Sequence, residues 1–153
     1  EIVTHLRRAF PHCAITTDVM VGFPGETGEH FEESLAFVKK VGFARVHVFA
    51  YSIRPGTKAA LMDHQVPKAE KEHRSHRMIE CTNESRRSFW ESQVGCVFPV
   101  LFEQQVSPHV WEGYSPNYTP IHVTSDEPLG GQIREVLLQK AEKNWCVGIL
   151  KHP

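Results

Sequence analysis

The stretch TTDVMVGFPGET, residues 16–27, decides how the first half of the chain folds. Residues 14–21, which overlap it, are rich in β-branched side chains and predict a buried strand. Gly22 ends that strand, and a turn built on Pro24 and Gly25 leads directly into a helical pattern. The turn therefore stands at the carboxyl end of a strand, which is where parallel α/β sheets bind their ligands.

The residues after this turn complete a βαβ pattern. An amphipathic helix is predicted over residues 27–40, because apolar residues recur there at spacings of four and three. Thr27 is a good N-cap, but we expect an incomplete capping box, since His30 stands where Glu or Gln is usual. Residues 45–51 (RVHVFAY) predict a second strand. The short connections favour parallel strands, and their apolar composition is typical of strands buried on both faces.

The remaining segments predict a second, different architecture. Residues 1–9 predict the tail of a helix, residues 52–67 a loop, and residues 68–91 a long polar helix with one narrow buried stripe. Five short β-rich runs follow, at residues 96–103, 109–114, 118–125, 132–139 and 145–150. Five strands in so short a span indicate a small barrel of the OB-like kind. We therefore divide the chain into an α/β part, 1–91, and an all-β part, 92–153.

Composition and charge exclude several classes of protein. Hydrophobic residues make up 41% and charged residues 23%, which favours a packed core over disorder. No apolar run approaches the roughly 20 residues of a membrane span, so we expect a cytoplasmic protein. Residues 92–153 carry four basic and six acidic side chains, which argues against a strong phosphate-binding surface there. The chain begins with Glu1, which we interpret as a sign of a piece of a longer protein.

The cysteines and histidines do not form a recognisable metal motif. The four cysteines are scattered without a CxxC pair, which favours reduced, mostly buried thiols over a disulfide or a cluster. His73 and His76 are spaced i, i+3 on the polar helix, and a solvated face is favoured over a metal site. The arginines of that helix alternate with glutamates, so an internally paired, solvated face is favoured over phosphate contacts.

Two loops provide the candidate site of the α/β part. Residues 22–26 and 51–57 follow the two predicted strands, mix glycine, proline and aromatic residues, and meet at one edge of the sheet. They form half of a pocket, or they are merely tight turns. Asp18 is a carboxylate in an otherwise apolar strand, so it is either paired or functional. Arg54 is its candidate partner or a substrate contact.

Aromatic residues provide the candidate site of the all-β part. Exposed aromatic rings on OB-like barrels stack on bases, whereas most large rings in a small barrel form its core. Core positions are favoured for Trp111 and Trp145. Tyr114 and Tyr118 are the better candidates for exposure, because the turn between them is polar.

Two long stretches resemble a known enzyme family. TTDVMVGFPGET and HVFAYSIRPGTKAA (residues 47–60) resemble the closing part of the catalytic barrel of radical-SAM methylthiotransferases. The helix at 68–90 resembles the connecting helix of that family, and residues 92–151 resemble its C-terminal TRAM domain. RVHVF (45–49) and GYSPNY (113–118) resemble the MtaB branch, which places a methylthio group on N6-threonylcarbamoyladenosine beside the tRNA anticodon.

The resemblance implies S-adenosyl-L-methionine and 4Fe-4S clusters as cofactors and tRNA as partner. The cluster cysteines of the family, including its CxxxCxxC motif, have no counterpart here, so the chain resembles only the C-terminal third of such an enzyme. We expect it to be inactive without the N-terminal two-thirds and to provide no metal ligands. Residues implied at the cofactor are Gly22, Phe23, Pro24, Gly25, Phe49 and Tyr51; Asp18 is the catalytic candidate, and Arg54, Tyr114 and Tyr118 are the substrate or RNA candidates.

Two other functions remain open at this point. The sister branch of the family methylthiolates an aspartate of a ribosomal protein, with the same barrel and TRAM architecture. A stand-alone RNA-binding module without catalysis is the alternative from a different class. A CxxxCxxC motif upstream of Glu1 in the gene would favour an enzyme over the binding module.

Overall fold

A computed structural model describes residues 1–151, which fall into two units. One unit is Ile15–Arg86, and the other joins Glu1–Ala14 to the residues from Arg87 onward. The predicted boundary between the α/β part and the all-β part near residue 92 stays a prediction. No helix within the described range is long and apolar enough to cross a membrane. The elements in chain order are α1 Ile2–Ala9, β1 Thr16–Val21, α2 Gly28–Val41, β2 Arg45–Ala50, a 3₁₀ helix Lys58–Leu61, α3 Lys68–Ser92, β3 Val97–Ser107, β4 Val110–Tyr114, β5 Pro120–Thr124, β6 Ile133–Ala141 and β7 Cys146–Leu150.

The unit Ile15–Arg86 contains the predicted βαβ arrangement. β1 and β2 pair in parallel, from Thr16 opposite Arg45 to Val21 opposite Ala50. One face of this two-stranded sheet packs with α2 and α3 around a core that includes Val21, Phe31, Val38, Phe43 and Met78. The unit therefore buries one face of its sheet with side chains from both strands and both helices.

The opposite face of the sheet is open. Burial alternates along both strands, and about half of Met20 and of Phe49 is exposed on this face. The predicted burial of the parallel strands therefore holds for one face of the sheet among the described residues. The reason is geometric: helices pack on one side only, and an apolar strand composition does not by itself show what covers the second side.

The capping of α2 corrects another sequence prediction. The Thr27 hydroxyl accepts a hydrogen bond from the His30 N–H at 3.2 Å, and the Thr27 N–H donates to His30 Nδ1 at 3.4 Å. The capping box is therefore complete, because an imidazole nitrogen can accept a hydrogen bond as a Glu or Gln side-chain oxygen does. Gly42 ends the helix in the left-handed conformation.

The second unit contains a closed five-stranded barrel, as predicted. The strands lie in the order β3-β4-β5-β7-β6, and β6 pairs again with β3. β5 and β7 pair in parallel, whereas the other neighbours are antiparallel. Such a Greek-key arrangement of five strands is the OB-like topology. Inward side chains fill the barrel, and the fully buried ones include Val100, Phe102, Ile121, Leu129, Val136 and Cys146.

Candidate functional site

A tight turn, residues 22–26, follows β1 and is stabilised by a hydrogen bond to the carboxylate of its own Glu26. Gly22 and Gly25 have φ angles of +73° and +84°, in the left-handed region that favours glycine. The Gly22 N–H donates to Glu26 Oε2 at 3.0 Å, and the Glu26 N–H donates to the Phe23 carbonyl at 2.9 Å. The turn is therefore a fixed structure, and its glycines are required by the backbone path.

Two cations of α3 lie over this turn. The methylenes of Lys71 cover Gly22 so closely that a Cβ there would lie 2.2 Å from Lys71 Cγ. The buried Arg74 guanidinium donates to Glu26 Oε1 at 2.6 Å and to the Glu26 carbonyl at 3.0 Å. Burial opposes the charge of Arg74, but the hydrogen bonds that it donates to Glu26 and Glu70 outweigh this effect and raise the pKa of Arg74 above the ordinary value. The helix therefore clamps the turn in place.

The end of β2 adds an aromatic wall beside the same turn. The Tyr51 N–H donates to the Val21 carbonyl at 2.9 Å, which sets the two strand ends side by side. The Tyr51 ring meets the Phe23 ring edge-on, with centroids 5.2 Å apart, and Lys71 Nζ donates to the Tyr51 carbonyl at 3.0 Å. The Tyr51 hydroxyl is buried and has no hydrogen-bond partner among the described residues. An unsatisfied buried hydroxyl is costly and is a natural point for a ligand contact.

The predicted site residues of this unit separate into two groups. Gly22, Pro24 and Tyr51 are buried around the clamped turn, with Phe23 and Gly25 exposed beside them. The other residues are exposed elsewhere in the unit: Asp18, Phe49 and Arg54. The turn thus brings together five of the eight candidates.

Asp18 lies on the open edge of the sheet. It pairs in register with His47 and lines a cleft of about 510 Å³ together with Met20 and Phe37. Arg54, its candidate partner, forms no ion pair with it within residues 1–151. The carboxylate is therefore accessible to solvent and is not part of a buried pair.

A rigid turn of the barrel unit exposes a tyrosine. The Ser115 and Thr119 hydroxyls donate to Asn117 Oδ1 at 2.6 and 2.8 Å. Asn117 Nδ2 donates to the His12 carbonyl at 2.9 Å. Tyr118, between Asn117 and Thr119, has a φ of +59° and is 82% exposed. A non-glycine residue in this conformation is uncommon, and the surrounding network holds its ring in solvent.

The exposed tyrosine borders a groove within its own unit. The groove measures about 600 Å³ and is lined by Phe10, His12, Phe98 and Tyr118 among others. The His12 and Phe98 rings meet edge-on with centroids 5.6 Å apart. Tyr114, the other predicted RNA residue, is partly buried in β4. The expected exposure is therefore confirmed for Tyr118, whereas Tyr114 is only partly accessible.

The amino-acid sequence of this chain is similar to those of known proteins over almost its whole length. No family model matches the chain. A tRNA-2-methylthio-N(6)-dimethylallyladenosine synthase from Maricaulis maris is 39% identical over 151 residues, which are 97% of this chain and 33% of that protein. This chain is homologous to tRNA methylthiotransferases. The threonylcarbamoyladenosine tRNA methylthiotransferase MtaB from Bacillus subtilis is 37% identical over 140 residues, which are 89% of this chain and 31% of that protein.

Both parts of the fold agree with this relationship. The chain spans about a third of the length of the curated relatives that it matches. A closed five-stranded barrel and a parallel βαβ unit are the two parts expected from the resemblance to the C-terminal region of methylthiotransferases. The fold class expected from the sequence is thereby confirmed.

The cysteines of this methylthiotransferase homologue do not fit an iron–sulfur cluster. No three His, Cys, Asp or Glu side chains of the described residues are grouped as metal ligands. Burial raises the pKa of Cys146 to about 11 and also raises the pKa of Cys81, which disfavours the thiolate that iron requires.

The arginines of α3 form ion pairs with neighbouring acids. Arg77 pairs with Glu32, and Arg87 pairs with Glu91 at 3.2 Å. The predicted pairing within the helix is thus confirmed for Arg87, whereas Arg77 pairs with a residue of α2; the prediction of a solvated face is wrong for Arg74, which is 6% exposed. The acidic turn after β1 explains the difference, because its Glu26 gives a buried guanidinium a carboxylate and a carbonyl to bind.

Sequence reasoning missed the residues that hold the first turn. Glu70 and Arg74 are spaced i, i+4, which was a local signal for a pair, and they are joined at 2.7 Å. The contact of Arg74 with Glu26, which is 48 residues away, had no local signal. The turn was recognised as a candidate site, but the helix that covers it was interpreted only as a connector.

Proposed function

We propose that the protein to which this chain belongs is a radical-SAM methylthiotransferase that modifies an N6-substituted adenosine beside the anticodon of tRNA, in the cytoplasm. The observation that carries the proposal is the similarity to tRNA methylthiotransferases over almost the whole chain, from the βαβ unit through the barrel. Each relative named above has tRNA in its name, which favours tRNA over a ribosomal protein as substrate. The same similarity favours an enzyme over a stand-alone binding module.

Within this class we propose N6-threonylcarbamoyladenosine as the substrate. Support comes from the segments 45–49 and 113–118, which resemble the MtaB branch, and from the similarity to the Bacillus subtilis enzyme. The relatives also include enzymes named for the dimethylallyl group, so the experiment has to offer both nucleosides.

The βαβ unit is proposed to border S-adenosyl-L-methionine. When bound, this cofactor would supply the radical that activates C-2 of the adenine. The Tyr51 hydroxyl offers a buried polar atom without a partner, and Phe23 and Phe49 offer exposed rings. Gly22, Pro24 and Gly25 shape the backbone of the turn beside Phe23. Asp18 is proposed as a catalytic group, because it is an accessible carboxylate in a cleft.

The barrel unit is proposed to hold tRNA, with Tyr118 as a stacking residue. Its ring is held in solvent by the turn network and therefore needs no rearrangement to meet a base. Tyr114 and Arg54 are the further proposed substrate contacts, the first partly buried and the second exposed. Iron–sulfur clusters are proposed to be held by cysteines outside residues 1–153.

The test is a nucleoside analysis of tRNA from cells that lack the complete gene. We expect 2-methylthio-N6-threonylcarbamoyladenosine to disappear and to return with the wild-type gene. Phe49→Ala should return less of it than Leu61→Ala, a control in which an 87% exposed apolar side chain is removed. Loss of the dimethylallyl product alone would contradict the threonylcarbamoyl substrate. Unchanged tRNA together with a lost methylthio group on a ribosomal protein would contradict the tRNA assignment altogether.

A further inference from the structure

One outward-facing row of side chains crosses the barrel. In the register of the strands, Gln104 on β3 lies opposite Glu112 on β4, and Glu112 lies opposite His122 on β5. His122 in turn lies opposite Val147 on β7, which lies opposite Lys140 on β6. The neighbours of His122 on β5 point into the core, so His122 points outward. The row therefore places polar side chains from β3, β4, β5 and β6 on one surface, with Val147 of β7 between His122 and Lys140.

An aromatic stack stands at the centre of this row. The His122 and Trp145 rings are nearly parallel, at an interplanar angle of 14°, and their centroids are 4.5 Å apart. Trp145 belongs to the turn between β6 and β7, which is closed by a 2.8 Å hydrogen bond from the Glu142 N–H to the Trp145 carbonyl. The indole is thus fixed in orientation by a ring beneath it and by its own backbone.

A hydrogen-bonded chain holds the histidine of the stack. His122 Nε2 lies 3.1 Å from Glu112 Oε2, and Gln104 Nε2 donates to Glu112 Oε1 at 3.0 Å. Both members of the His122–Glu112 pair are mostly buried, with side chains 15% and 20% exposed. The hydrogen bonds from Gln104 and His122 lower the pKa of Glu112, so the carboxylate stays ionised. This support fixes the face of the imidazole that Trp145 covers.

Trp145 differs from the other two tryptophans in exposure. Trp90 is 5% exposed in the barrel core and Trp111 is partly buried against that core, whereas Trp145 is 37% exposed. A tryptophan that only fills the core has no need of a polar support and loses its accessible surface. Trp145 keeps an accessible surface on a supported ring, which is the arrangement that base stacking requires.

The cations of this part of the chain are concentrated on the same hairpin. All four basic residues of segment 92–153 lie between residues 134 and 151: Arg134, Lys140, Lys143 and Lys151. Lys140 and the exposed Lys143 flank the turn that carries Trp145. The barrel is acidic in total, yet two of its four cations are next to the turn of the exposed indole: Lys140 pairs with Glu142 at 2.6 Å, and Lys143 is exposed. This local charge complements an RNA backbone and argues for a nucleotide as the occupant of the surface.

The position on the fold points the same way. In OB-like barrels the second and third strands and the loop between the fourth and fifth bind oligonucleotides. The corresponding elements here are β4, β5 and the β6–β7 turn. Glu112, His122 and Trp145 lie on these elements.

We propose that the outward surface of β4, β5 and the β6–β7 turn is a stacking platform for one unpaired base of RNA. Trp145 receives the base, His122 is the positioning residue beneath it, and Lys143 meets the neighbouring phosphate. The platform involves neither Tyr118 nor the groove beside it. The proposal rests on the proposed function in that the RNA is taken to be tRNA.

The test uses residues 1–153 with 5-fluorotryptophan and a fluorescein-labelled anticodon stem-loop of unmodified RNA. Fluorine NMR resolves the three tryptophans, and the Trp145 resonance is assigned from its absence in Trp145→Phe. We expect RNA to shift this resonance while the resonance of the buried Trp90 stays in place. In fluorescence anisotropy, Trp145→Ala should weaken binding about 5- to 150-fold, which corresponds to about 1–3 kcal/mol for one stacked base.

Matched variants separate stacking from folding. Trp145→Phe should keep most of the affinity, because a phenyl ring still stacks. Ile133→Ala is the control, since it removes a 66% exposed apolar side chain from β6 and should leave the affinity unchanged. Lys143→Ala should reduce the log–log salt slope by about 0.7, the contribution of one phosphate on a single strand. This variant removes an exposed side chain and should leave the fold intact.

The outcomes distinguish the platform from the proposed function. An unmoved Trp145 resonance on saturation with RNA, or equal affinities of Trp145→Ala and Ile133→Ala, overturns the platform even if tRNA nucleosides show the expected methylthio product. Conversely, a shifted resonance and weakened Trp145→Ala support the platform even if the nucleoside analysis contradicts the methylthiotransferase activity.

Discussion

Replacing Arg74 by methionine tests the clamp over the first candidate site. Methionine keeps most of the apolar volume of the arginine stem but removes the guanidinium of a side chain that is only 7% exposed. The change deletes the hydrogen bonds to the Glu26 carboxylate at 2.6 Å, the Glu26 carbonyl at 3.0 Å and Glu70 at 2.7 Å. It leaves the Glu26 carboxylate, 15% exposed, with the Gly22 N–H as its hydrogen-bond donor.

The expected cost follows from the unpaired carboxylate. Removing one partner of a buried ion pair costs about 3–5 kcal/mol, because the remaining charge is left without compensation. We expect about 3 kcal/mol, at the lower end of that range, since Glu70 is 43% exposed and can be solvated in its place. Native-state hydrogen exchange of β1 and α2 measures this loss within Ile15–Arg86.

Arg77→Met is the matched control on the same helix. Arg77 is also paired with a glutamate, but its side chain is 37% exposed and that of Glu32 is 56% exposed. Exposed pairs contribute little to stability, so this substitution should change the exchange of β1 and α2 far less. A double variant with Glu26→Gln should recover part of the loss of Arg74→Met. Equal effects of Arg74→Met and Arg77→Met would refute the reasoning that burial makes the Arg74–Glu26 pair important.

The remaining predictions concern the barrel and the thiols. Gly148→Ala should destabilise the barrel by about 1–3 kcal/mol, because its Cβ would lie 2.3 Å from Val136 Cγ1. Urea unfolding followed by tryptophan fluorescence measures this loss. Gly131→Asn is the control and should cost much less, since Gly131 is at an open position with a φ of +74°. Burial raises the pKa of Cys146 to about 11. The free energy of unfolding should therefore fall as pH rises from about 9 towards 11, because the thiol of the unfolded chain ionises first. Cys146→Ser should abolish this part of the pH profile. Residues 92–151 should give a dispersed amide spectrum alone, whereas residues 1–67 should not, since their two strands leave an edge unpaired. Anaerobic reconstitution of residues 1–153 should yield no four-iron spectrum, and stoichiometric iron would contradict this expectation.

The local elements and their chemistry could be predicted from the sequence. Apolar spacing placed α2, and β-rich composition with turn signals placed the strands of the described residues within a few positions, because both signals report the local backbone. The turn at 22–26 required glycines for the same local reason. The exposure of Tyr118 followed from the polar turn around it, where the Ser115 hydroxyl donates to Asn117, although the contact of Asn117 with the His12 carbonyl had no local signal.

Only the tertiary structure decided which faces and partners these elements acquired. The open side of β1 and β2, the burial of Arg74 against Glu26, and the stack of Trp145 on His122 each join or separate residues that are distant in the sequence. Trp145 reaches His122 because β5 and β7 pair in parallel, a neighbour relation that results from closure of the barrel. Periodicity states that a side chain points to one face of an element, and the free energy of packing determines what lies against that face.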